Sequence, residues 1–147
     1  MNPNDIKTTD VVVSRHIAAS PRDVFDAWLD PKSPASMWSD AEQLVFEGTA
    51  GSIFYWLVEN DGARWPHFGR FLIVDRTAGR IEHTFMSPFT QGLETTVAIT
   101  LVAAGGGTDF RLVHAGLPDD ENGHRHEHGW GHFVERLSTE LAQRTHA

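Results

Sequence analysis

The chain has 147 residues, 40% hydrophobic and 10% aromatic, with a formal net charge of −8 at pH 7, which fits one domain with a proper core and is too short for two. That acidic balance, without any Lys/Arg run, argues against nucleic acid, because phosphate binding needs clustered cations, and no apolar run reaches membrane length. With no cysteine, disulfides, a thiol nucleophile and a Cys-based zinc site are excluded, and a reducing cytoplasm fits.

No repeat or linker-like stretch interrupts the chain, so one domain is expected over residues 1–147, with about 1–9 as a flexible N-terminal tail. Val11 to His16 (VVVSRH) reads as a strand from its β-branched run. Ser20-Pro21 reads as N-cap and first residue of a helix that turns Val24, Phe25 and Trp28 inward. A second short helix is expected from Ser33 to Trp38. The period then switches to two. Strands are expected over Gln43–Glu47, Ser52–Glu59, Arg64–Asp75, Ile81–Met86 and Leu93–Val102, and again around Phe110, Leu112 and His114. Asn60-Asp61-Gly62 and Gly105-Gly106-Gly107 are hairpin turns. If Leu101 faces Phe110, then Ile99 meets Leu112 and Val97 meets His114. A long helix from about Asp120 to Arg144 closes the chain, with Trp130, Phe133/Val134, Leu137 and Leu141 as its buried stripe. Antiparallel hairpins with one face covered by a helix make an α+β fold.

The stretches RHIAASPRDVFDAWLDP (Arg15 to Pro31), GGGTDFRLVHAGL (Gly105 to Leu117) and GWGHFVERLSTEL (Gly129 to Leu141), with Trp38, Gly51 and Gly69, carry a family signature. They resemble the START-like (SRPBCC) helix-grip superfamily, and most of all the branch of activator-of-heat-shock-ATPase homologues. Two features depart from that branch's habit: Ser39 follows Trp38, and Ala50 precedes Gly51. The resemblance implies a curved antiparallel sheet of about seven strands around the long C-terminal helix, with two short helices after the first strand and a cavity between sheet and helix. It also implies either a small apolar ligand or a chaperone or other protein partner, with a homodimer and a cyclase- or hydrolase-type activity left open.

Five of the nine histidines fall between His114 and His132. On a helical wheel with Trp130 at zero, His124, His128 and His132 fall at about 120°, 160° and 200°, opposite the packed stripe. A single convex face supplies two metal ligands easily and a third poorly, and the HExxH pattern is absent. No metal site and no cofactor are therefore expected. His126 falls about 40° from Trp130, and His114 lies on the inward face of the last strand. No GxSxG elbow, P-loop or Rossmann fingerprint occurs, so no catalytic residue is assigned. The leading expectation is a domain binding a small apolar molecule. Its candidate cavity residues are Trp38, Phe54, Trp56, Phe68, Arg70, Phe85, His114, His126, Trp130 and Phe133. Arg70 is included as a contact for a ligand carboxylate on the assumption that it shares a face with Phe68 and Phe85, although an outward-facing arginine fits the strand somewhat better.

Overall fold

A computed structural model describes residues 6–145. Seven antiparallel strands form one sheet in the order β1-β7-β6-β5-β4-β3-β2. They are β1 (Thr8–Ile17), β2 (Gln43–Val45), β3 (Ile53–Asn60), β4 (Ala63–Asp75), β5 (Arg80–Phe85), β6 (Thr95–Ala104) and β7 (Gly107–Pro118). Consecutive strands from β2 to β7 are neighbours, as hairpin connections dictate. Only the passage from β1 to β2 crosses between the sheet edges. It runs through helix α1 (Pro21–Trp28) and a 3₁₀ turn (Met37–Asp40).

The β6–β7 register pairs Leu101 with Phe110, Ile99 with Leu112 and Val97 with His114, the pairing expected from the alternation of apolar residues. All six of these side chains are buried. Three expectations are corrected. Residues 1–5 of the expected tail lie outside the described residues, while Thr8 and Thr9 pair with Pro118 and Leu117. Neither is apolar, so the sequence pattern begins only at Val11, but the backbone ladder extends beyond it. The second short helix is a 3₁₀ turn shifted toward the C-terminus. Ser33 and Ser36 use their hydroxyls to accept from the Ala35 and Trp38 N–H groups, a local pattern that competes with a regular helix. Phe68 and Arg70 lie on the outer face of β4, as set out below.

The N-cap hydroxyl of Ser20 accepts from the Asp23 N–H at 3.2 Å. Pro21 opens α1, and Val24, Phe25, Ala27 and Trp28 are buried. The long helix α2 (Glu121–Thr145) is capped by Asp120, whose carboxylate accepts from the Gly123 N–H at 2.7 Å. A Cβ at Gly123 would sit 1.8 Å from the Pro118 carbonyl oxygen. Glycine is what lets the helix start this close to the end of β7.

Trp130, Val134, Leu137 and Leu141 form the buried stripe of α2, and His124, His128 and His132 are exposed on its far side, as the wheel requires. Arg136 ties α2 to the crossover. It donates to the Asp40 carboxylate at 2.9 and 3.1 Å and to the Ser36 carbonyl at 2.9 Å. Between helix and sheet the core is filled by rings, including Trp28, Trp38, Phe54, Phe71 and Phe110. Each such ring contributes about 1.5–3 kcal/mol on burial. No helix among the described residues is long and apolar enough to cross a membrane.

Candidate functional site

At one end of α2 the core opens into a cleft of about 330 Å³, lined by Trp56, Trp65, His67, Phe85, His126, Trp130 and Phe133, with Asn122 and Arg125 contributing from the first turns of the helix. That volume lies within the range of small-molecule sites, and a wall of aromatic side chains with a few polar groups is their usual composition.

The walls are held from behind. Trp56 Nε1 donates to the Met37 carbonyl at 3.1 Å, which fixes the indole of β3 against the crossover. The His67 ring lies 4.6 Å from the Trp56 ring, between centroids, and 5.2 Å from Phe85. Phe85 also touches Trp130 (5.4 Å), His114 (5.3 Å) and His126 (6.3 Å). Rings tilted or edge-on at these separations pack favourably and resist rearrangement.

Four histidines point inward, two in the core behind the cleft and two lining it. Trp130 Nε1 donates to His114 Nδ1 at 2.9 Å. Because Nδ1 accepts, the neutral ring carries its proton on Nε2, which donates to Thr95 Oγ1 at 2.7 Å. The Thr95 hydroxyl in turn donates to the Phe85 carbonyl. Both nitrogens of His114 are thus engaged in a directed chain that joins α2, β7, β6 and β5. Burial, with further opposition from His126 and His83, pushes the His114 imidazole down to about 2. His83 is wholly enclosed among Trp38, Phe54 and Phe71. Its Nδ1 donates to the Thr84 carbonyl at 2.8 Å, and its Nε2 is buried without a partner. Burial holds it at about 4.

His67 and His126 belong to the cleft itself. His67 Nδ1 donates to the Trp56 carbonyl at 3.2 Å, and burial lowers the ring to about 4 despite that bond. His126 Nδ1 donates to the Asn122 and Gly123 carbonyls of its own helix, at 2.9 and 3.2 Å. Burial lowers this histidine too, against the pull of those carbonyls. Both rings are therefore neutral at neutral pH with the lone pair on Nε2. Among the described residues no hydrogen bond reaches His126 Nε2. No group of three or more metal-ligating side chains converges among the described residues.

Of the ten residues singled out in the sequence, Trp56, Phe85, His126, Trp130 and Phe133 line the cleft. His114 stands behind it. Trp38 and Phe54 are 1% exposed in the adjoining core. Phe68 and Arg70 face away. Phe68 is 45% exposed and packs on Tyr55, while Arg70 donates to the Gly51 carbonyl. The inner face of β4 is instead His67, Gly69 and Phe71. A Cβ at Gly69 would lie 2.2 Å from the Phe54 ring and 2.1 Å from the Thr84 carbonyl oxygen. Phe54 occupies the space that a side chain at 69 would need, so the strand's inner face has a ring there that its own sequence does not show. Trp65, His67 and Phe89 were missed. Taking the parity of β4 from Phe71 back through Gly69 would have placed His67 and Trp65 inward.

A curved antiparallel sheet gripping a long C-terminal helix, with an aromatic cleft where they part, defines the helix-grip class of α+β domains. Residues 18–142 match the model of the family described as activator of Hsp90 ATPase homolog 1-like protein, and the chain belongs to that family. No curated protein sequence matches the chain. Among solved structures it is similar to protein CV1439 of Chromobacterium violaceum, with 24% identity, a TM-score of 0.72 and coverage of 90% of this chain and 96% of that one. It is similar also to Ara h 8.0201, with 12% identity, a TM-score of 0.75 and coverage of 93% and 99%. A third likeness is to DynU16, a putative protein in the dynemicin biosynthetic locus, with 20% identity and a TM-score of 0.72. It covers 90% of this chain and 47% of that one.

Proposed function

We propose that this protein binds a small, largely apolar molecule in the cleft between β3, β4, β5 and α2. The observation that carries the reading is the aromatic enclosure: Trp56, Trp65, Phe85, Phe89, Trp130 and Phe133 converge on one 330 Å³ space. These rings pack on one another along the walls, as Trp56 does on Phe133 and Phe85 on Trp130, and still leave that space between them. Binding is read most directly by titrating naphthalene-sized aromatic probes and following the tryptophan side-chain signals by NMR. Saturable shifts of Trp56 and Trp130 are expected, and their loss in Trp56→Ala. A panel in which no probe saturates would sink the reading. An acid–base role for a cavity histidine narrows to the cleft-facing rings, since both nitrogens of His114 are already bonded.

A second reading has its own observation. On the outer face of the sheet, Val45, Ile53, Phe68 and Leu72 are each more than 40% exposed, and Val45 and Phe68 both pair with Tyr55. Exposed apolar residues outside the cleft suit a protein partner, and the family's description names an ATPase activator. Stimulation of Hsp90 ATP turnover, lost in Phe68→Ser, supports this reading; unchanged turnover opposes it.

A further inference from the structure

We infer that the ligand of this cleft is an uncharged aromatic molecule carrying a hydroxyl group, and that the hydroxyl donates its hydrogen to His126 Nε2. This rests on reading the cleft as a ligand site and adds the chemistry of its recognition.

The argument starts from what the polar atoms of the cleft offer. His126 stands on the first turns of α2, with Nδ1 turned back onto the helix carbonyls of Asn122 and Gly123. Those two bonds fix both the ring orientation and the tautomer. Nε2, on the far side of the ring from the helix backbone, then presents a lone pair at the wall. His67, across the cleft on β4, is held in the same tautomer by the Trp56 carbonyl, so its Nε2 is also an acceptor. Both imidazoles line one apolar space with their Nδ1–H groups already given to backbone carbonyls.

Such a pair accepts hydrogen bonds and offers none. A carboxylate or phosphate placed there would set its own lone pairs against those of the imidazoles, and burying that charge unpaired is expensive. Arg125 lines the cleft at its rim, where its guanidinium reaches the exposed Glu121 at 2.6 Å along the helix surface. Arg70, the side chain that would have suited an acid, points to the other side of the sheet. A phenol-type hydroxyl satisfies the requirement with a single donor while its ring stacks among Trp56, Phe85 and Trp130. A ligand that lacked the donor would leave a half-buried acceptor without a partner.

The test uses three probes on one ring system: 2-naphthol, 2-methoxynaphthalene and 2-naphthoate, titrated into the full chain by calorimetry and NMR. The expected order is naphthol first, with the methyl ether about tenfold weaker, the worth of one neutral hydrogen bond in a desolvated site. Naphthoate is expected to be weakest. In His126→Phe the naphthol preference disappears while the ether still binds. In the wild-type protein, naphthol moves the His126 Nε2 nitrogen resonance toward that of a hydrogen-bonded acceptor, a readout that needs no variant. Equal binding of naphthol and its ether, tightest binding of naphthoate, or an unmoved Nε2 resonance overturns the inference yet leaves the cleft as a ligand site. Failure of all three probes to bind overturns both.

Discussion

Acidification provides a quantitative test of the inward histidines. His67, His83 and His114 are 7%, 0% and 0% exposed, and burial holds their imidazoles at about 4, about 4 and about 2, against the usual 6.5. A lowered value means that the folded state prefers the neutral ring. Between pH 6.5 and the lowered values the unfolded chain binds more protons, so stability is full above 6.5 and falls as the pH drops. Integrating for one such ring between about pH 7.5 and about pH 5 gives a loss of about 2 kcal/mol. His114 loses the same amount, because within this window the unfolded chain's titration sets the slope. The three together lose about 6 kcal/mol, a large share of the roughly 5–15 kcal/mol that holds a domain folded. His126 acts in the same direction. Urea unfolding followed by circular dichroism across this range measures the slope. His83→Leu is expected to flatten it by about a third. The variant deletes the buried Nε2 that has no partner but also the Nδ1 donor to the Thr84 carbonyl, so at neutral pH a cost of up to about 1–3 kcal/mol is expected for that acceptor. A stability that stays constant between those pH values, or a His83 that titrates near 6.5 by NMR, would refute the reasoning.

Gly69→Ala should destabilise the fold by about 1–3 kcal/mol or more, the range for overpacking, because its new methyl meets the Thr84 carbonyl and the Phe54 ring at once; the urea midpoint reads this directly. Trp130→Phe removes the donor to His114 Nδ1 and should cost about 1–3 kcal/mol for the unsatisfied buried acceptor. Long-range nitrogen–proton spectra should find His114 protonated on Nε2, with His67 and His126 protonated on Nδ1. The same spectra of Trp130→Phe should show His114 still protonated on Nε2, held by Thr95, with its Nδ1 resonance moved toward that of a free acceptor. Phe68→Ala and Arg70→Ala, on the outer face, should leave aromatic-probe affinity unchanged, whereas Phe133→Ala at the cleft wall should weaken it several-fold. Equal losses from both faces would contradict the placement of the site.

What was legible in the sequence, and what was not, follows from how local the signal is. The β6–β7 register could be read because Val97, Ile99 and Leu101 alternate without interruption and glycines mark the turn. The split of the helix histidines could be read because a helical wheel depends only on spacing. β4 failed for a physical reason. Its inner face has no side chain at Gly69, and the ring that fills the gap belongs to Phe54 on the neighbouring strand. With no side chain at Gly69 to mark the inner face, the more apolar Phe68 reads from the sequence as inward, one residue out of parity. His67 and Trp65 then fell on the wrong face, which hid half of the cleft's far wall. Phe89 was hidden differently. It rides on a short 3₁₀ turn (Pro88–Thr90) capped by Ser87, where no periodicity announces it, and reaches the cleft by stacking on Trp65 at 4.5 Å.

Burial alone does not distinguish a structural histidine from one available to a ligand. His83 and His114 are more deeply enclosed than His126, yet neither borders the cleft. His114 spends both nitrogens on Trp130 and Thr95, and His83 is sealed among rings. At His83 too a backbone carbonyl takes Nδ1, so the distinction lies in where the remaining Nε2 sits, sealed in the core at His83 and on a cleft-lining ring at His126. At His126 the first turn of α2 takes Nδ1, and the helix start is fixed in turn by Asp120 and by the close approach at Gly123. The geometry that begins the helix thereby leaves Nε2 of His126 as an acceptor at the cleft wall. Moving that start by one residue would rotate His126 by about 100°, away from the space that Trp56, Phe85 and Trp130 enclose. Cap and site are therefore coupled. Asp120→Ala should loosen the first turn and weaken naphthol binding more than it weakens binding of the methyl ether, because only naphthol depends on the orientation of the ring. Equal weakening of both would place the effect of the cap on the cleft's shape rather than on His126.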